Sequence, residues 1–184
     1  MRLEVRVAGF GGQGIIRAGL IIAMAASLYE EKNAVQTQSY GPESRGGSCR
    51  SEVVISDDEI DFPKVTDPDI LVVMSQAAYN RYAETLKSGG TLILDPDMIP
   101  QQQTMRDKRI YKVPATKMAE ELGKTIIANV IMLGALTSIT RIVDAESMKK
   151  AILGNIPKGT EKLNLDAFEK GYEYGKKVLE ESGA

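Results

Sequence analysis

Apolar and polar residues alternate through Leu3-Glu4-Val5-Arg6-Val7-Ala8, a period of two that predicts a half-buried strand near the start of the chain. The next segment is apolar almost all round (Ile15, Ile16, Leu20, Ile21, Ile22, Met24), which predicts a helix from about Gln13 to Leu28 buried deeply against a sheet. Ala34-Val35-Gln36-Thr37-Gln38 and Glu52-Val53-Val54-Ile55 read as the second and third strands. No helical period separates these two, so their connection need not be a parallel crossover, and a mixed sheet is expected. Ile70 to Met74 is a continuous apolar run of the kind found in central parallel strands. Ser75 is placed to cap a helix running to Lys87, with Gly89-Gly90 as its stop. Thr91 to Leu94 and Ile110 to Val113 are further strands. Helical spacing then covers about Thr116 to Leu122, Ala128 to Ile142, Ala145 to Leu153 and Leu165 to Glu181, with Asp144 and Asn164 as caps of the last two. The order predicts one domain over residues 1–184: three-layer α/β/α, Rossmann-like, with a mostly parallel mixed sheet and a helical C-terminal third.

The first strand runs into Gly9-Phe10-Gly11-Gly12-Gln13-Gly14, which has the spacing G-x-G-x-x-G in a strand-to-helix context. Such a turn exposes backbone N–H groups at a helix N-terminus, where they cradle phosphate, and glycine removes the Cβ atoms that would keep a ligand away. The same glycines could instead serve only a tight turn and close packing of helix on sheet. A dinucleotide site also wants an acidic residue closing the second strand, to hold ribose hydroxyls. Gln36-Thr37-Gln38-Ser39 supplies none, which argues against NAD.

A polar run, Ser39-Tyr40-Gly41-Pro42-Glu43-Ser44-Arg45-Gly46-Gly47-Ser48, leaves the second strand at the same carboxyl edge as the glycine loop. Arg45 offers a planar fork suited to phosphate, and Tyr40 could cover an apolar part of a ligand. A solvated surface loop is the plain alternative, although connections of this length in compact domains are usually functional or disordered. Asp95-Pro96-Asp97 reads as a turn with a helix cap rather than a cation site. Cys49 adjoins a strand and reads as a small buried apolar residue. Asn129 heads an apolar helix and either caps it or reaches the crevice.

Composition removes whole classes of chemistry. There is no histidine, hence no histidine triad, base or metal ligand. The single cysteine cannot hold an iron–sulfur cluster, which needs about four thiolates, and it excludes an internal disulfide. A formal charge of −2 leaves no basic footprint for nucleic acid. No apolar stretch is long enough to span a bilayer and no export signal opens the chain, so a cytoplasmic protein is expected.

Together the Gly9–Gly14 and Ser39–Gly47 runs, Val113-Pro114-Ala115-Thr116, and Asn129 with Leu133-Gly134-Ala135-Leu136 resemble the gamma subunit of the 2-oxoacid:ferredoxin oxidoreductases. The run through Tyr40 and Arg45 is most similar to the 2-oxoglutarate type, with pyruvate, 2-ketoisovalerate and indolepyruvate types as alternatives. The resemblance implies a non-redox subunit of an oxidative decarboxylase that completes the acyl-transfer and coenzyme A site. It implies alpha and beta partner subunits, a ferredoxin-like delta subunit in some complexes, and ferredoxin as electron acceptor. Thiamine diphosphate, magnesium and the iron–sulfur clusters would then belong to the partners. Carried over residue by residue, Gly11, Gly12, Gln13, Gly14, Tyr40, Gly41, Arg45, Gly46 and Gly47 would lie near the cofactor or a neighbouring subunit. The rival readings are a stand-alone NAD- or flavin-dependent oxidoreductase and a non-enzymatic nucleotide-binding or scaffold module.

Overall fold

The computed structural model describes residues 1–40 and 48–183. Six strands form one sheet in the order β2-β3-β1-β4-β5-β6. They are β1 (Arg2–Phe10), β2 (Asn33–Ser39), β3 (Ser48–Ser56), β4 (Ile70–Val73), β5 (Thr91–Leu94) and β6 (Arg109–Lys112). The strands β1, β4, β5 and β6 are parallel, whereas β3 is antiparallel to both β1 and β2. The mixed sheet expected from the sequence is therefore present. A parallel return to β3 would need a helical crossover, and the short connection after β2 has no room for one.

Strand β3 is longer than its apolar stretch predicted. Its first residues, Ser48 to Ser51, are held by a ladder to β1 that runs from Phe10↔Ser48 to Arg2↔Ser56. Pairing with β1 along its whole length, joined by β2 from Arg50 onward, overrides the polar composition of that end.

Helix α1 (Ile15–Tyr29) lies on one face of the sheet together with α3 (Ala115–Glu121), α4 (Ala128–Thr140), α5 (Ala145–Leu153) and α6 (Glu161–Glu181). On the other face, α2 (Gln76–Tyr82) covers Ala8, Leu71, Val73, Leu92 and Leu94. Alternate residues of β4 serve the two cores: Ile70 and Val72 point one way, Leu71 and Val73 the other.

Ser75 caps α2 as expected, its Oγ accepting from the Ala78 N–H at 3.2 Å. The helix then tightens into a 3₁₀ turn at Ala83–Thr85 and stops at the extended Leu86, short of Lys87. Helix α1 is less enclosed than its composition suggested, because Leu20 and Leu28 stay 40% and 60% exposed on its outer side. Asp144 takes the capping position of α5 without a side-chain hydrogen bond. Asn164 is not a cap. Helix α6 begins a turn earlier, with Thr160 at its N-cap position, and the Asn164 amide donates to the Thr160 carbonyl at 2.9 Å. The polar first turn hid this start.

Helix α4 is buried from Ala128 through Ser138, so its polar side chains must bond inward. The Thr137 hydroxyl donates to the Leu133 carbonyl at 2.7 Å and the Ser138 hydroxyl to the Ala135 carbonyl at 3.1 Å. Helix α6 buries Asn164, Ala167, Phe168, Gly171 and Gly175, a single face at helical spacing. Its glycines let the two helices approach at backbone distance: a Cβ at Gly171 would overlap the Ile131 carbonyl, and one at Gly134 the Phe168 carbonyl. Gly171→Ala should therefore cost about 1–3 kcal/mol through overpacking. Gly154→Ala, where a Cβ has ordinary room, should be neutral or slightly stabilising. Urea unfolding of the two variants tests the contrast.

Candidate functional site

The loop from β1 to α1 is built by division of labour among its residues. Gly12 and Gly14 have φ of +94° and +73°, a left-handed backbone that disfavours side chains. Gly14 also touches Asn129 of α4, whose Nδ2 donates to the Gly14 carbonyl at 3.3 Å. Asn129 Oδ1 accepts from the Val130 N–H at 3.0 Å. Asn129 does not cap α4, whose N-cap position is Ile127; it reaches the cleft wall and fastens the loop there.

Gln13 holds the loop from the other side. Its Oε1 accepts from the Phe10 N–H at 2.9 Å, and its Nε2 donates to the Met74 carbonyl at the end of β4 at 2.7 Å. Both ends of the amide are engaged within the protein. A Cβ at Gly9 would strike Gln13 and Ile15, so Gly9 serves packing. At Gly11 and Gly12 a Cβ would meet nothing, and the missing side chains leave that space open to a ligand.

That space belongs to a cleft of about 540 Å³, within the range of small-molecule sites. One side is Phe10, Gly11, Gly12 and Gly14 with the start of α1. The first helical hydrogen bond of α1 is Ala18 N–H to the Gly14 carbonyl at 2.9 Å, so the N–H groups of Ile15, Ile16 and Arg17 have no partner within the helix. The rest of the lining includes Ile126, Ile127 and Val130, with Ile156, Pro157 and Thr160 from the connection into α6 and Leu163 from its first turn. Tyr40 and Cys49 also line it, and Arg17 and Lys124 add two exposed cations to its lining. The cleft joins an apolar trough to backbone donors that have no partner among the described residues and to two cations. That combination suits an elongated ligand with a phosphate-bearing end and a less polar arm.

Of the residues expected from the sequence, Gly11, Gly12, Gly14 and Tyr40 line this cleft, whereas Gln13 braces the loop behind it. Gly41, Arg45, Gly46 and Gly47 lie outside the described residues. The two polar runs do leave the sheet at one edge: Ser39 pairs with Arg50, one residue from the Gly9↔Cys49 pair. Arg17, Lys124, Ile126 and the α5–α6 connection went unread, because they converge from three separate segments and no local pattern marks them.

Asp95 is a turn and cap residue, as the sequence suggested. It is fully buried; Oδ1 accepts from the Asp97 N–H at 3.1 Å, and Oδ2 accepts from the Thr116 N–H at 2.9 Å and its hydroxyl at 2.7 Å. Cys49 is buried, and desolvation pushes its thiol pKa upward.

The sequence matches the family model for pyruvate ferredoxin/flavodoxin oxidoreductase over residues 4–174. It is 57% identical over 180 residues to the 2-oxoglutarate synthase subunit KorC of Methanocaldococcus jannaschii, covering 97% of this chain and 96% of the relative. The fold superposes with a TM-score of 0.85 on a keto/oxoacid ferredoxin oxidoreductase gamma subunit from Geobacter sulfurreducens PCA, at 39% identity and with 94% and 98% of the two chains covered. It also superposes, with a TM-score of 0.86 and 25% identity, on a 2-oxoglutarate:ferredoxin oxidoreductase from Magnetococcus marinus solved with 2-oxoglutarate, coenzyme A and succinyl-CoA. That match covers 96% of this chain but 31% of the other.

Two outcomes follow from the loop geometry. Gly14→Ala should cost about 1–2 kcal/mol for the left-handed backbone alone, with a further loss from its collision with Asn129. Adding Asn129→Ala should recover part of that further loss, giving a coupling of roughly 0.5–3 kcal/mol in a denaturation double-mutant cycle. At neutral pH the Cys49 thiol should alkylate more slowly than a free cysteine, because its raised pKa lowers the thiolate fraction. Its rate should keep climbing above the pH where a model thiol levels off.

Proposed function

The chain belongs to the pyruvate ferredoxin/flavodoxin oxidoreductase family, as a subunit of a 2-oxoacid:ferredoxin oxidoreductase, and we propose that its own part is to hold coenzyme A in the cleft beside the glycine loop. We take 2-oxoglutarate as the acid, on the strength of the relatives from three methanogens that are 53–57% identical. The observation that carries the coenzyme A reading is the cleft itself. Coenzyme A has a polyphosphate end and a long, weakly polar arm, and the cleft combines helix-start N–H groups without a partner among the described residues and two cations with an apolar trough.

In this reading the N–H groups of Ile15, Ile16 and Arg17, with the Arg17 guanidinium and the Lys124 ammonium, receive the phosphates. Gly11 and Gly12 allow the ligand close to the backbone. Ile126, Ile127, Ile156 and Leu163 line the arm and keep water from it. Coenzyme A, when bound, supplies the thiol that takes up the acyl group. The redox step lies elsewhere, on alpha and beta subunits carrying thiamine diphosphate with magnesium and the iron–sulfur clusters, with a ferredoxin-like delta subunit and ferredoxin completing electron transfer. This chain's single cysteine and lack of histidine fit that division. Exposed Phe10, Tyr40 and Ile126, at 37%, 68% and 67%, ring the cleft mouth and offer those neighbours an apolar seat. Among the described residues no helix is long and apolar enough to cross a membrane, and we place the complex in the cytoplasm.

The NAD- or flavin-dependent and scaffold readings are not favoured by the family assignment. The complex reconstituted without this chain should form no acyl-CoA and recover when it is added back, whereas full turnover without it would end the reading. In the complete assembly, Arg17→Ala with Lys124→Ala should raise the KM for coenzyme A about tenfold, equivalent to ~1.4 kcal/mol, with kcat little changed. That difference should shrink as ionic strength rises.

A further inference from the structure

Strand β3 has a second face that the cleft does not use. Arg6, buried in β1, donates from Nε to Glu52 Oε1 at 2.7 Å, and from its terminal nitrogens to Thr85 Oγ1 at 2.7 Å and the Val65 carbonyl at 2.8 Å. Arg50 shares the same carboxylate oxygen through Nε at 3.2 Å and donates to the Tyr82 hydroxyl at 3.2 Å. Arg81 of α2 donates to Ser48 Oγ at 3.2 Å. The guanidinium carbons of Arg6, Arg50 and Arg81 lie 5.1, 5.7 and 5.5 Å from the centroid of the Tyr82 ring. One buried ring therefore gathers three cations, while one buried carboxylate is shared by two of them. The hydrogen bond from Arg50 to Tyr82 and the nearby Glu52 hold the Arg50 guanidinium firmly in its charged form.

The position of this cluster gives it a consequence for the cleft. Successive residues of a strand face opposite sides, so Ser48, Arg50 and Glu52 meet the cluster while Cys49 meets the cleft. Ser48 and Phe10 form the terminal pair of the β1–β3 ladder, and Ser39 and Arg50 the terminal pair of the β2–β3 ladder, with Tyr40 following directly. Tyr40 and Cys49 thus stand where two ladders run out, and strand ends fray first. The bonds that secure that end come from α2, by way of Arg81 to Ser48 and Tyr82 to Arg50.

We propose that Arg81 and Tyr82 are positioning residues: acting through Ser48 and Arg50, they clamp the start of β3 and so set the placement of Cys49 and Tyr40 in the cleft wall. The effect on ligand affinity rests on the coenzyme A reading, but the clamp itself does not. The single thiol of this chain reports on it directly. In the assembled complex, alkylation of Cys49 by iodoacetamide, read by peptide mass, should be about fivefold faster in Arg81→Ala and about twofold faster in Tyr82→Phe, which keeps the ring and loses the hydroxyl. The Tm should stay within about 2 °C of the parent. Arg81→Lys, which keeps a cation at the ring, should return most of the protection. Unchanged alkylation in both variants, or faster alkylation that merely follows a falling Tm, would overturn the clamp. In the same Arg81→Ala complex, the KM for coenzyme A should rise about threefold with kcat within about twofold. Faster alkylation with an unchanged KM would uphold the clamp and count against the coenzyme A reading alone.

Discussion

Helix α4 sits between the sheet and the outer helices with almost no solvent contact, and the close approach of its backbone to its neighbours is the constraint on which the rest of the molecule depends. Gly134 on one side and Gly171 and Gly175 on the other allow α4 and α6 to cross without intervening side chains. At its start, Asn129 reaches the Gly14 carbonyl and presses on a residue that has no Cβ. The same helix therefore fixes the glycine loop and, through α6, the cleft lining at Thr160 and Leu163. Interiors packed at crystal density transmit such constraints, because there is little free volume to absorb a displacement.

The cleft is made of parts that each satisfy a local requirement first. Gln13 ties the loop to β4, Gly9 makes room for Gln13, and Gly14 makes room for Asn129. Only Gly11 and Gly12 are left facing open space, so the glycines of this loop divide into those that hold it and those that face the open cleft. The strand beside the cleft is used in the same double way, with a thiol on its cleft side and arginines, a carboxylate and a tyrosine on the other. A chain without histidine, and with one buried cysteine, contributes shape, hydrogen-bond donors and positive charge.

Much of this could be read along the chain. The β4 and β5 strands, the cap at Ser75, the turn at Asp95 and the helix after the glycine loop all follow from patterns that span a few residues, which is the range over which backbone propensity and hydrophobic period act. The antiparallel placement of β3 also followed, because a short connection cannot cross over. The errors fall where neighbours overruled local pattern. The polar start of β3 became strand by pairing with β1, and α6 began before its apolar face did.

The order and type of the elements, the glycine turn at Gly9–Gly14 and the lack of histidine were determined by the sequence alone, since each depends on residue identity or on spacing within one segment. Tertiary structure decided which glycines hold and which admit. It brought Arg17, Lys124 and the entry to α6 to one cleft, and it set Tyr82 among three arginines. Those groupings join residues tens of positions apart, and only the packing of helices on both faces of a twisted sheet brings such residues into contact.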